Sequence, residues 1–246
     1  MDGLEWKRAK WSKFAKTYLK TMERLAVFFS QKLIADAQGI AKHLDKSYQA
    51  GHKTIMIPYG AKLITESPDI KIIHRLGVEP HNYYLVVCRL EPENHVKEII
   101  QGFITSNVPE ALVIVGEDDD NNYIIELKKI NNERVLFTGP IYNKDKLTAL
   151  RYYCKAYIHG HSVGGTNPSL LESMACNNDI IAHDNEFNRE VTNDTAIFFK
   201  DPETLREIIA RHSTNSFFKQ DHVIRVCNFY SWENITNQYV NSFNIA

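Results

Sequence analysis

Apolar positions divide the chain into two regimes. In the first 50 residues they recur every three or four positions: Trp11, Phe14, Ala15, Tyr18, Met22, Leu25, Ala26 and Phe29 alternate with lysines and arginines. That spacing gathers apolar side chains on one face of a helix. It predicts an amphipathic helix whose stripe packs on a core, and the basic residues between leave peripheral membrane association as the second reading. Residues 34–48 continue the helical pattern, residues 53–57 form a short strand, and Pro58-Tyr59-Gly60 is the turn after it.

From residue 66 the pattern changes. Short apolar runs at 83–88, 111–115, 134–137, 156–159, 179–182 and 195–199 alternate with helical spacing at 96–105, 123–130, 144–153, 168–176, 186–190 and 202–212. Strand and helix repeating in this way predict right-handed crossovers and a parallel sheet covered on both faces. The runs are apolar throughout, as strands buried on both sides require. The expected fold is α/β: a Rossmann-like, doubly wound parallel sheet over residues 61–215. Residues 1–60, helical with one strand, precede it. Residues 216–246, with helices at 217–229 and 232–243, close the chain.

One loop concentrates the candidate chemistry. Residues 160–176 read Gly-His-Ser-Val-Gly-Gly-Thr-Asn-Pro-Ser-Leu-Leu-Glu-Ser-Met-Ala-Cys. Glycines let a backbone approach a ligand, Asn167 suits a helix N-cap and Pro168 the first helical position. The helix end behind them offers unpaired N–H groups and partial positive charge to an anion. The bland alternative is a strand-to-helix turn whose glycines only relieve crowding. Topology favours the anion site. In the common strand order 3-2-1-4-5-6, ligands sit between the first and fourth strands. The fourth run, 156–159, exits into this loop, and the first, 83–88, exits at Arg89. A guanidinium, which chelates phosphate, would then face the helix end.

Composition narrows the partners. The 246 residues are 43% hydrophobic and 24% charged, ordinary values for a globular chain. A net charge of −1 gives no reason to expect nucleic acid. No run of 18 apolar residues and no signal-peptide pattern occur, and the four cysteines are widely spaced. These features point to reduced thiols and a cytoplasmic location. The first strand runs into Cys88-Arg89-Leu90-Glu91-Pro92 instead of GxGxxG, and no GxxxxGK[ST] occurs, which argues against a simple dinucleotide fold and a P-loop. His159 and His161 lie on one side of an extended segment without a third ligand. Substrate contact or packing is therefore favoured over a metal, and no metal or cofactor is expected.

Several segments together carry a family resemblance. Val87-Cys88-Arg89-Leu90-Glu91-Pro92-Glu93, Leu112 to Gly116, Phe137-Thr138-Gly139, Asn167 to Ala175 and the closing Phe229-Tyr230-Ser231-Trp232-Glu233 appear in order. They resemble the C-terminal half of GT-B glycosyltransferases of the retaining family 4 type. The Gly-Gly-Thr-Asn-Pro-Ser-Leu-Leu-Glu version, with Arg-Leu-Glu-Pro-Glu-Asn upstream, is most similar to bacterial rhamnosyltransferases of polysaccharide assembly, as is the opening Asp2-Gly3-Leu4-Glu5-Trp6-Lys7-Arg8. The resemblance implies transfer of a hexose or deoxyhexose from a dTDP-, UDP- or GDP-sugar to a glycan or lipid-linked acceptor, at the inner face of the membrane where the acceptor is a lipid. It implies that Arg89, Gly165, Thr166, Asn167, Ser169 and Leu170 hold the donor diphosphate. Glu172 would take the ribose hydroxyls, Gly139, Pro140 and Ile141 would lie near the base, and His161 and Gly164 would contact the donor sugar.

Three departures qualify the resemblance. The family's Glu-x7-Glu pair ends at the position of Glu172, but its first carboxylate falls at Gly164. The lysine usual five residues after the arginine is Asn94 here, with His95 and Lys97 nearby. Family members also carry about 100 more residues before the counterpart of Met1, so residues 1–60 correspond to the end of a first domain. The alternative expectation is a nucleotide-sugar-binding module that needs a partner domain, with self-association through its apolar N-terminal face.

Overall fold

The computed structural model describes residues 4–8, 11–117, 122–212 and 219–244. Ser12 caps the first helix, α1 (Lys13–Phe29), its hydroxyl accepting from the Ala15 N–H at 3.2 Å. Then come β1 (Leu33–Ala35), α2 (Gln38–Tyr48) and β2 (Thr54–Met56). The strands pair in parallel, Ile34 beside Ile55. The helical pattern over 34–48 is thus wrong at its start. Leu33 and Ala35 point inward, and pairing with β2 outweighs a spacing that also fits a helix.

The second layer follows as α3 (Lys71–His74), β3 (Tyr83–Val87), α4 (Val96–Ser106), β4 (Ala111–Val115), α5 (Asn122–Lys128), β5 (Val135–Gly139), α6 (Lys144–Tyr153), β6 (Ala156–His159), α7 (Pro168–Ala175), β7 (Ile180–His183), α8 (Glu186–Thr192), β8 (Ile197–Phe199) and α9 (Pro202–His212). The six strands β3 to β8 form one parallel sheet in the order β5-β4-β3-β6-β7-β8. Counted within the sheet, this is the anticipated 3-2-1-4-5-6. The short helix α3 was not anticipated.

Alternate residues of the strands serve opposite faces. Leu85, Val113 and Tyr157 pack with Leu150 of α6 and with Leu170 and Met174 of α7. Tyr84, Ile114 and Ile158 pack with Ile99 and Phe103 of α4 and with Leu205 and Ile209 of α9. Both faces are covered, which is why the runs carry almost no polar residues.

The chain closes with α10 (Lys219–Arg225), a π-helical turn (Val226–Tyr230) and α11 (Trp232–Asn244). The helix expected at 217–229 is therefore two pieces, and residues 217 and 218 lie outside the described residues, as do Asp2 and Gly3 of the opening motif. The closing segment runs back along the N-terminal part. The Ala61 N–H donates to the Tyr230 carbonyl at 2.7 Å, and Lys32 Nζ donates to the Ser242 carbonyl at 2.7 Å.

The apolar stripe of α1 does not face a core. Only Val27 of that helix is buried, while Phe14 is 84% and Phe28 and Phe29 are 76% and 77% exposed. The small core beneath it, Leu33, Ala35, Ile40 and Leu44 with Phe187 of α8, takes one edge of the helix and leaves the aromatic side in solvent.

Candidate functional site

A cleft of about 390 Å³ opens at the carboxyl ends of β3, β4 and β6, where the strand order reverses. A larger groove, about 960 Å³, lies between α1 and the α2–β2 connection, away from the sheet ends and lined by residues such as Leu25 and Phe28. Position at the switch point, with convergent charges and hydrogen-bonding groups, makes the smaller cleft the candidate site.

Two strand exits build its walls. Beyond β3, Arg89 is half-exposed, its Nη2 3.5 Å from Glu91 Oε2. Opposite, Asn167 caps α7: its Oδ1 accepts from the Ser169 N–H at 2.9 Å, and Pro168 takes the first turn. The floor is a network at the strand ends. Ser169 Oγ and the Tyr157 hydroxyl lie 2.8 Å apart, and each lies 3.1 Å from the Val87 carbonyl. Burial pushes the Cys88 thiol beside it up to about 12, so it stays protonated at neutral pH.

Arg151 and Asn94 also line the cleft, and sequence patterning assigned no role to either. Arg151, on the buried side of α6, donates from Nη2 to Ser169 Oγ at 3.1 Å and pairs with Glu172 Oε2 at 2.7 Å. An arginine beside Ala149 and Leu150 on the inward side of a helix was the available signal, since a buried cation needs a partner. Asn94 donates from Nδ2 to the Arg89 carbonyl at 2.7 Å, and its Oδ1 lies 2.8 Å from His161 Nδ1. The amide orientation makes Nδ1 of His161 the donor to Asn94 Oδ1. Asn94 thus braces the arginine turn against the loop after β6, in place of the lysine the resemblance led one to expect.

The His161 imidazole is held neutral. Burial holds it down at about 4, and the guanidinium groups of Arg8 and Arg89 add to the effect. Burial also depresses His159, 2% exposed beneath it, and brings His183 down to about 4. Among the described residues, no three His, Cys, Asp or Glu side chains are arranged to hold a metal ion.

The residues anticipated for the site divide. Arg89, Asn167, Ser169, Glu172, His161, Pro140 and Ile141 line the cleft together. Gly139 stands behind it, at φ +71°, its carbonyl accepting from the Gly116 N–H. Leu170 is fully buried in the core, and its N–H donates to the Asn167 carbonyl at 3.2 Å. Gly164, Gly165 and Thr166 are not part of the cleft lining. The Thr166 N–H donates to Asp36 Oδ2 at 3.1 Å, and its hydroxyl donates to the Asp36 carbonyl. A Cβ at Gly165 would run into the Asp36 carboxylate. Gly165 therefore lets the end of β1 approach, a contact between segments 130 residues apart that no local pattern records.

Residues 70–224 match the family described as Glycosyl transferases group 1, and residues 1–62 match a domain of unknown function, DUF1972. No curated protein matches the chain. Anabaena Alr3699/HepE, solved with UDP and glucose, superposes with a TM-score of 0.81 at 18% identity, over 94% of this chain and 67% of that one. Sucrose-phosphate synthase from Thermosynechococcus elongatus superposes at 0.77 and 18% identity, over 98% and 64%. The pneumococcal O-GlcNAc transferase GtfA, with UDP and GlcNAc, gives 0.70 at 10% identity, over 93% and 47%. The chain thus spans about half to two thirds of the length of these structures, which share its fold.

Proposed function

This chain belongs to the glycosyl transferases group 1, and from that premise we propose that it takes the donor part in moving a hexose or deoxyhexose, rhamnose by resemblance, from a nucleoside diphosphate-sugar to a glycan or lipid-linked acceptor, with retained configuration, in surface-polysaccharide synthesis. One observation carries the reading: Arg89, the capped start of α7 and Glu172 converge on a single cleft at the switch point.

The chemistry follows from charge. As the sugar leaves, negative charge grows on the diphosphate, and fixed positive groups aimed at it lower the barrier. Arg89 supplies a full charge and the α7 end a partial one. Asn167 and Ser169 place hydrogen-bonding side chains beside them. Glu172 takes the ribose, Pro140 and Ile141 flank the base, and neutral His161 contacts the sugar. Gly164, Gly165 and Thr166 support this wall from behind. Glu172 is the only carboxylate of the motif, so a glycosidase-like double displacement has no support.

The exposed face of α1 favours a companion reading. Phe14, Phe28 and Phe29, which that face turns to solvent, support a unit that binds donor and meets a further α/β domain for acceptor binding. We assign the face to that domain, place the reaction in the cytoplasm, and expect the chain alone to self-associate through it.

Titration calorimetry with dTDP, UDP and GDP tests the proposal. Binding of one of them in the micromolar to millimolar range supports it, and no binding to any of the three removes it. Binding with neither hydrolysis nor transfer from the matching sugar donors selects the partner-dependent reading.

A further inference from the structure

We propose that Arg151 is a positioning residue that fixes the Glu172 carboxylate so that one oxygen, Oε1, is turned to the nucleotide's ribose. The inference rests on the donor-site reading above and deepens it. The free carboxylate expected from the sequence would offer two oxygens to a vicinal diol. In the structure, Arg151 Nη2 holds Oε2 at 2.7 Å. The Arg151 side chain is only 6% exposed, while that of Glu172 is half-exposed. The carboxylate is thus anchored from the protein side and open from the cleft side.

The anchor is itself rigid. Nη2 also donates to Ser169 Oγ at 3.1 Å, and that hydroxyl belongs to the network with Tyr157 and Val87 at the strand ends. Arg151 Nε is buried without a hydrogen-bond partner. An arginine packed this deeply, at the cost of an unsatisfied N–H, has little freedom to turn away. Its charge is compensated by Glu172, so neither group is easily lost alone. The pair is nearly neutral toward a ligand. What it offers is one oriented acceptor at Oε1, which favours one sugar hydroxyl over its neighbour.

The experiment compares nucleotides that differ by one hydroxyl. Whichever of UDP and GDP binds the unaltered chain is titrated beside its forms lacking the 2′- or the 3′-hydroxyl; binding of dTDP alone, whose sugar has a single hydroxyl, would overturn the inference. The unaltered chain should lose roughly tenfold to a hundredfold in affinity when one particular hydroxyl is missing, the scale of a hydrogen bond to a charged group. Loss of the other should change affinity by less than about threefold. Arg151→Met should reduce the larger ratio to within about threefold of unity, and Arg151→Lys should restore most of it.

Equal affinity for all forms in the unaltered chain would overturn the inference and leave the donor site standing. Equal loss at both hydroxyls would do the same, as would a ratio unchanged in Arg151→Met. If no nucleoside diphosphate binds at all, the donor-site reading falls and the inference with it. Should Arg151→Met not fold, the double variant Arg151→Met/Glu172→Gln, which leaves neither charge alone, is compared with Glu172→Gln. Equal ratios support positioning through Glu172, and a further drop in the double variant overturns it.

Discussion

The molecule contains two parallel sheets of very different standing. The six-stranded sheet is closed in on both faces, and Tyr84, Leu85 and Ile158 at its centre have no solvent exposure. The two-stranded sheet has a core of a few residues, and the helix above it turns Phe14, Phe28 and Phe29 to solvent. A parallel pair forms few bonds of its own and depends on cover. The larger sheet carries its cover in its own crossover helices. The smaller one is held largely by what it touches next door: Asp36 on Thr166, the Gln38 N–H on the Glu190 carboxylate at 2.8 Å, and Phe187 in its core. Most of the buried core thus lies on one sheet, while the other rests on the loop after β6 and on α8.

Core truncation separates the two most sharply. Leu85→Ala should cost about 2–5 kcal/mol in urea unfolding. Phe28→Ser on α1 should stay within about 0.5 kcal/mol of the parent, while reducing self-association in sedimentation velocity. A comparable loss from both would erase the distinction.

Acid should act through His161 in the cleft. An unfolded imidazole takes its proton near pH 6.5, whereas folded His161 does so only near 4. Between those values the unfolded chain binds more protons, so stability falls as pH drops through this window. A shift of this size corresponds to about 3 kcal/mol from His161. Unfolding at pH 7 and pH 4.5 should show a smaller difference in His161→Asn, and an identical difference would refute its share.

Arg89→Ala should weaken nucleoside diphosphate binding by about 1.5–3 kcal/mol in calorimetry while leaving unfolding nearly unchanged. Unaltered affinity would remove the arginine from the site.

Gly165→Ala probes the seam between the sheets. The new methyl meets the Asp36 carboxylate and should cost about 1–3 kcal/mol. Pairing it with Asp36→Gly should recover part of that loss. Recovery in thermal unfolding is the result to look for, and its absence would show that the seam does not bear on Gly165.

Much of this was legible in the chain. The six apolar runs predicted the large sheet because doubly buried strands leave a compositional mark. Arg89 and Asn167 were legible because strand order fixes where two exits meet, and a cap and a proline mark where a helix begins. Arg151 was harder to see, because a charge on a buried helix face has meaning only once its partner is known. The stripe on α1 misled for a related reason: period 3.6 shows which side of a helix is apolar and not what lies against it.

The sequence by itself determined the α/β alternation, the strand count of the main sheet and the two exits that wall the cleft, because each depends on residues within a few positions of one another. Only the tertiary structure decided that residues 33–35 are a strand, that Gly165 and Thr166 serve Asp36, and that Glu172 is held by Arg151. Those outcomes depend on contacts between distant segments, and local propensity yields wherever such a contact buries a charge or completes a hydrogen bond.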